Sequence, residues 1–163
     1  MTPFFGWVFS PATNFPSQIG FEAAGIIESV GSAVTDFKPS DKVSVLPAFS
    51  NRDYGTYREL ILVPAYALHR YPDTLSFEEA ASIWTSFIAA YGMLVDSAHL
   101  QTGEAVTINA ASSSAGLAAI KVTNLLGGTS IALTTSASKK DAILKAGAHH
   151  VIVTGEEDIP SAV

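Results

Sequence analysis

The stretch from 105 to 126 sets the frame for the rest of the chain. Ala105, Val106, Thr107 and Ile108 form a short apolar run that predicts a buried strand. Leu117, Ala118, Ile120, Lys121, Val122, Leu125 and Leu126 follow with helical spacing. Between them lies a loop of small residues, Asn109, Ala110, Ala111, Ser112, Ser113, Ser114, Ala115 and Gly116. Strand, small-residue loop and helix turn backbone N–H groups and a helix N-terminus toward a phosphate. Larger side chains would hold a pyrophosphate away from the backbone. Where Gly-x-Gly-x-x-Gly would fall, the chain has Ala111, Ser113 and Gly116. The same residues would also suit a polar turn before an ordinary helix, so the loop alone leaves both readings open.

Downstream, Gly127 and Gly128 predict a helix stop. A second strand is expected over 130–135, a short helix over 138–146 ended by Gly147, and a third strand over 150–153. Strands alternating with helices imply a parallel sheet with right-handed crossovers. Three such strands are half of a complete six-stranded dinucleotide-binding sheet.

Upstream the character differs. Residues 1–19 hold Phe4, Phe5, Trp7, Phe9 and Phe15 among Pro3, Pro11 and Pro16, without periodicity. These aromatics either pack on a core or wall an apolar cleft. From 21 to 63 the chain predicts a mostly antiparallel β unit, with strands over 23–30, 42–46 and 57–63 separated by turn residues. Ser76 with Glu79 reads as a capping box. The helix after it is apolar on nearly every side (Ala80, Ala81, Ile83, Trp84, Phe87, Ile88, Ala90, Tyr91, Leu94), which predicts burial between layers.

Composition narrows the classes. Nine basic residues stand against 15 acidic ones, a net charge of −6, and no basic stripe exists, so nucleic acid is not an expected partner. The absence of cysteine excludes disulfides, thiol catalysis and cysteine-ligated zinc. The start carries no charged n-region, and the longest apolar stretch, over 80–95, falls short of the roughly 20 residues a bilayer needs. A cytoplasmic protein with no membrane partner is expected.

Several motifs, in order, resemble the medium-chain dehydrogenase/reductase superfamily, in particular its zinc-free quinone oxidoreductase-like and alcohol dehydrogenase-like branch. Gly20-Phe21-Glu22-Ala23-Ala24-Gly25 sits where the family has Gly-[His/Tyr]-Glu-x-x-Gly. Residues 30–43 match its Val-Gly…Gly-Asp-[Arg/Lys]-Val turn, with Ser40 in place of a glycine. Gly55-Thr56-Tyr57-Arg58-Glu59 and Pro72-Asp73-Thr74-Leu75-Ser76 also fit, and residues 110–116 resemble the Ala-x-x-Gly-x-x-Gly loop with Ser113 at its middle glycine. The resemblance implies an α/β chain: a partial GroES-like β-barrel over 1–72, a linking buried helix over 73–98, and the first half of a Rossmann parallel sheet over 99–163. It also implies that the chain is truncated at both ends relative to a parent enzyme, itself a homodimer. The implied activity is hydride transfer between NADP(H) and a quinone, enone or other carbonyl compound, without zinc. The alternative is a truncated relative that binds a nucleotide or a partner without catalysis.

The resemblance carries over to residues one by one. Phe21 stands where zinc-dependent relatives have a metal-ligating histidine, and His69, His99, His149 and His150 show no ligand spacing, so no metal is expected. Glu22 keeps its place without a metal to support, and a structural role is expected for it. Without a Lewis acid, hydrogen-bond donors must polarise the substrate; Tyr57 is the candidate, beside Tyr54, with a structural role the equal alternative for both. An NAD-preferring sheet places an acid at the end of the second strand, where this chain has Thr134 and Thr135. Ser136, Ser138, Lys139 and Lys140 follow, a set that suits a 2′-phosphate. The expected cofactor residues are thus Ala110, Ala111, Ser112, Ser113, Ser114, Ala115, Gly116, Thr134, Thr135, Ser136 and Lys139. Phe5, Trp7 and Trp84 are the candidates for the substrate cleft, with core packing the competing reading for Trp84.

Overall fold

The computed structural model describes residues 18–50 and 53–156. The chain divides into two compact units, Met1–Trp84 and Thr85–Val163.

The first unit is built on a three-stranded antiparallel sheet of β1 (Ala23–Ile26), β2 (Lys42–Val45) and β3 (Leu68–Arg70), in that order. Val43, Ser44 and Val45 of β2 are buried, as expected of the central strand. The turn between β1 and β2 is closed by Ser40, whose φ of 75° is left-handed and whose N–H donates to the Ile27 carbonyl at 2.8 Å. The expected strand over 23–30 stops at Ile26. Residues 57–63 form no strand either, and Tyr57, Leu60 and Leu62 are exposed. Apolar alternation gave these residues strand character, but a strand also needs a neighbour's carbonyls and amides. The strand that does pair with β2, β3, carries His69 and Arg70 and has no apolar alternation to announce it.

The capping box forms as read: Glu79 N–H donates to Ser76 Oγ, and the Glu79 carboxylate accepts from Ser76 N–H at 2.8 Å. The single buried helix expected beyond it is three pieces: α1 (Phe77–Ala80), α2 (Trp84–Tyr91) and a π-helical turn over Gly92–Ser97. Ser82 breaks the run, its hydroxyl donating to the Glu79 carbonyl at 3.0 Å. Burial is partial too. Ala80, Ala90 and Leu94 are buried, whereas Phe77, Ile88 and Tyr91 are exposed.

The second unit is a parallel sheet in the order β4 (Ala105–Ile108), β5 (Thr129–Thr134) and β6 (His150–Val153). Two helices connect the strands, α3 (Ser114–Leu125) after β4 and α4 (Lys140–Lys145) after β5. A 3₁₀ turn, Ala137–Lys139, precedes α4. The core joins Ala118, Ile120 and Val122 of α3 to Ile108, Ala132, Ile143 and Val151, with Ala90 and Leu94. Gly127, at φ 76°, ends α3, and the Gly128 N–H returns to the Thr123 carbonyl at 3.0 Å. The α/β reading of both units, antiparallel then parallel, therefore holds.

Candidate functional site

The two connections that leave the C-terminal ends of β4 and β5 lie side by side. The Ala111 N–H donates to the Leu133 carbonyl at 3.1 Å, which ties the small-residue loop to the end of β5. The loop turns sharply at Ala110, whose φ is 48°. Ser113 then caps α3. Its hydroxyl accepts from the Gly116 N–H at 3.1 Å, and its carbonyl accepts from the Leu117 N–H at 2.8 Å. This leaves the N–H groups of Ser114 and Ala115 without intrahelical acceptors, at the positive end of a twelve-residue helix.

Gly116 is required by close approach. A Cβ there would lie 2.7 Å from both the Ala110 carbonyl oxygen and the Ala111 Cα, and all its near neighbours are backbone. Ala111 is wholly buried beneath, while Ser112, Ser113, Ser114 and Ala115 are exposed. The loop is thus a shallow cradle floored by backbone and small side chains.

Beyond β5, Thr134 is buried and its Oγ1 accepts from the Ser136 N–H at 3.3 Å. The Ser136 and Ser138 hydroxyls are 2.8 Å apart. Lys139 is exposed at the start of α4, and Thr135 is exposed beside it. The residues that directly follow β5, 135–140, include no carboxylate, and Asp141 comes next on α4 itself.

Residues 4–73 match the alcohol dehydrogenase GroES-like domain. A synaptic vesicle membrane protein VAT-1 homolog from Danio rerio is 37% identical over 84% of the chain and 27% of its own length. The Escherichia coli quinone oxidoreductase in complex with NADPH superposes with a TM-score of 0.75 at 30% identity, over 91% of this chain and 44% of that one. The chain belongs to the medium-chain dehydrogenase/reductase superfamily. An NAD-dependent alcohol dehydrogenase of the same fold gives a TM-score of 0.84 at 30% identity, over 93% of this chain and 51% of that one. The chain therefore spans between about a quarter and a half of the length of these superfamily members.

Within this superfamily frame the expected residues separate by unit. Ala110 to Gly116, Thr134, Thr135, Ser136 and Lys139 are gathered at one end of the parallel sheet. Tyr57 belongs to the first unit, where its N–H donates to the Ile19 carbonyl at 3.1 Å and its side chain is 79% exposed. Trp84 is held in that unit too: its indole N–H donates to Ser44 Oγ at 2.9 Å and its ring meets His69 edge-on at 5.6 Å. Phe5 and Trp7 lie outside the described residues. Phe21 is 42% exposed and offers no donor atom. Glu22, half-buried, lends its backbone carbonyl to the Thr56 hydroxyl at 2.9 Å. Among the described residues no three His, Asp or Glu side chains are gathered as a metal ion would need, and no helix is long and apolar enough to cross a membrane.

Sequence reasoning missed the capping role of Ser113. The signal was present, since serine three residues before a glycine at a helix start is a preferred N-cap. It also missed the positive φ of Ala110, which no residue type announces.

Proposed function

We propose that this chain carries part of an NADPH-dependent oxidoreductase that reduces a quinone, enone or other carbonyl compound without zinc. The observation that carries the reading is the paired geometry at the sheet end. A backbone-floored cradle at Gly116 lies beside a hydroxyl and lysine set that lacks an acid. The exposed N–H groups of Ser114 and Ala115 would face the pyrophosphate, and Ser136, Ser138 and Lys139 the 2′-phosphate. Bound there, the nicotinamide supplies the hydride. The chain's own contribution is to bind and orient it and to offer Tyr57 as a hydroxyl donor to the substrate oxygen. The relatives' names support a nicotinamide cofactor and divide between NADPH and NAD. The absence of an acid after β5 favours NADPH, because a carboxylate there would hold the 2′-OH and repel a phosphate. A cytoplasmic setting follows from the same reading, although one relative is named for the synaptic vesicle membrane.

A second reading has one observation in its favour. The Ser113 hydroxyl already occupies the Gly116 N–H, and its Cβ stands where the superfamily loop has a glycine. That crowding suits a module that holds nucleotide without turnover. Calorimetric titration of the chain with NADPH and NADH, followed by quinone addition, separates the two. Saturable binding favouring NADPH, with bleaching of its absorbance, supports the reductase. NADPH binding without bleaching supports the module, and equal affinity for both nucleotides overturns the assignment of the lysine and serines. Lys139→Ala is expected to weaken NADPH binding about tenfold, the worth of one charge-assisted contact to phosphate, and to leave NADH binding unchanged.

A further inference from the structure

We propose that the free edge of β4 pairs two copies of this chain, strand against strand. In the parallel sheet β4 is hydrogen-bonded to β5 alone. The Thr129 N–H donates to the Glu104 carbonyl at 2.8 Å, so Glu104, Val106 and Ile108 turn their backbone groups to β5. Backbone groups alternate in direction along a strand, which turns those of Ala105 and Thr107 the other way. Among the described residues none takes them up, and both residues are exposed. Natural sheets blunt such an edge with lysine, proline or a bulge. β4 reads Ala-Val-Thr-Ile and pairs with β5 in unbroken register, so it has none of these. An open groove of about 570 Å³ borders the same strand, walled by Leu94, Ala98 and Leu100.

The occupant that fits is β4 of a second copy. Two such strands lie antiparallel with Ala105 opposite Thr107 of the partner subunit, and Thr107 opposite the partner subunit's Ala105. Each of these two pairs exchanges two backbone hydrogen bonds, four in all, and both open residues of each copy are used. Val106 then meets its own counterpart across the axis, about 4.5 Å away between Cα atoms. It is half-buried, packed against the core that holds Leu94, and the second copy covers its outer side with another β-branched residue. The contact uses the same patch on both copies and closes at two. Charge permits it. Glu104, the ionisable residue of the groove, falls opposite Ile108 and not opposite itself. Each copy carries a net charge of −6, a long-range repulsion that salt screens. A four-residue ribbon beside one groove is a smaller contact than the roughly 800 Å² per partner of a standard interface. The pair is therefore expected to be weak, dissociating at roughly micromolar concentrations.

The test uses the full chain, which has no cysteine of its own. Sedimentation equilibrium around the micromolar range, at about 0.15 M salt to screen the repulsion, is expected to show monomer and dimer in exchange. Thr107→Pro removes an N–H that faces away from β5, so the ladder within each copy is kept. Two of the four bonds between copies are lost, and the dissociation constant is expected to rise at least about tenfold with circular dichroism unchanged. Val106→Cys sets two thiols at cross-strand distance for a disulfide. It should oxidise to a covalent dimer at least about tenfold faster than Leu125→Cys, which is exposed on α3. A parent that stays monomeric, or passes straight to larger assemblies, overturns the proposal and leaves the edge to a different strand. A Thr107→Pro chain that pairs as tightly as the parent overturns it too. Should that variant not fold, the cysteines decide: oxidation at 106 no faster than at 125 overturns the pairing.

Discussion

Gly116 is the residue where the smallest change should have the largest effect. Its missing Cβ would sit against Ala110 and Ala111 backbone, and backbone cannot rotate out of the way as the end of a side chain can. Gly116→Ala is therefore expected to destabilise the second unit by about 1–3 kcal/mol, the usual cost of overpacking. It should also push the loop off its anchor at Leu133 and abolish nucleotide binding. Denaturant midpoints and the NADPH titration check the two effects separately. Thr123 is the opposite case. Its hydroxyl is buried on α3 and has no hydrogen-bond partner among the described residues. Thr123→Val keeps the shape and removes the unpaired group, so a gain of about 1 kcal/mol is expected. An unchanged or lower urea midpoint would mean that the hydroxyl is satisfied after all. The two residues show what sequence reading reaches at this scale. Gly116 stands out from the residue pattern alone, as the third position of a glycine loop. Nothing in the run Lys121-Val122-Thr123-Asn124 tells which side chain is buried unpaired, because helical spacing gives the face and not the partner.

At the scale of elements, legibility followed where the hydrogen bonds come from. β4, α3 and β6 lie where their apolar patterns place them, but β4, expected to be a buried strand, keeps only Ile108 buried and leaves Ala105 and Thr107 exposed, because it lies at the edge of the described sheet with a strand on one side alone. β3 was missed because its residues, Leu68, His69 and Arg70, pair with β2 through backbone alone. Its value to the fold lies in Arg70, which reaches back to the turn between β1 and β2. The guanidinium donates to Asp41 Oδ2 at 2.7 Å and to the Asp36 carbonyl at 2.5 Å, and lies 4.7 Å from the centre of the Phe37 ring. The hydrogen bond from Arg70, with the Lys38 N–H second, holds the Asp41 carboxyl below the usual carboxylate range. The sign follows directly. A carboxyl whose folded value is depressed contributes stability above its unfolded value and loses it as pH falls through the folded one. Asp41→Asn should thus lower the denaturant midpoint at about pH 7, and the gap from the parent should close by about pH 2. A gap that is the same at both pH values would place the effect in packing and not in charge.

The whole molecule is two units that carry different parts of the proposed work, and this gives a prediction that neither residue nor element alone supports. Every residue assigned to the phosphates, from Ala110 to Lys139, belongs to the second unit, whereas Tyr57 and Trp84 belong to the first. A ligand stabilises only the conformations that bind it, by RT ln(1 + [L]/Kd), or about 2.7 kcal/mol at a hundred times Kd. NADPH at that excess should therefore slow hydrogen exchange about a hundredfold at amides of α3 and β5 that exchange by opening of the cradle. Ser114 and Ala115 should be protected directly if their N–H groups take the pyrophosphate as proposed. The amides of β1, β2 and β3 are the internal control, because none of the phosphate-binding residues lies among them. Protection confined to the second unit would show a cradle that works through its own sheet. Protection spreading to β2 at the same nucleotide concentration would show instead that the first unit's stability is coupled to the cofactor, and Tyr57→Phe would then be expected to change NADPH affinity as well as turnover.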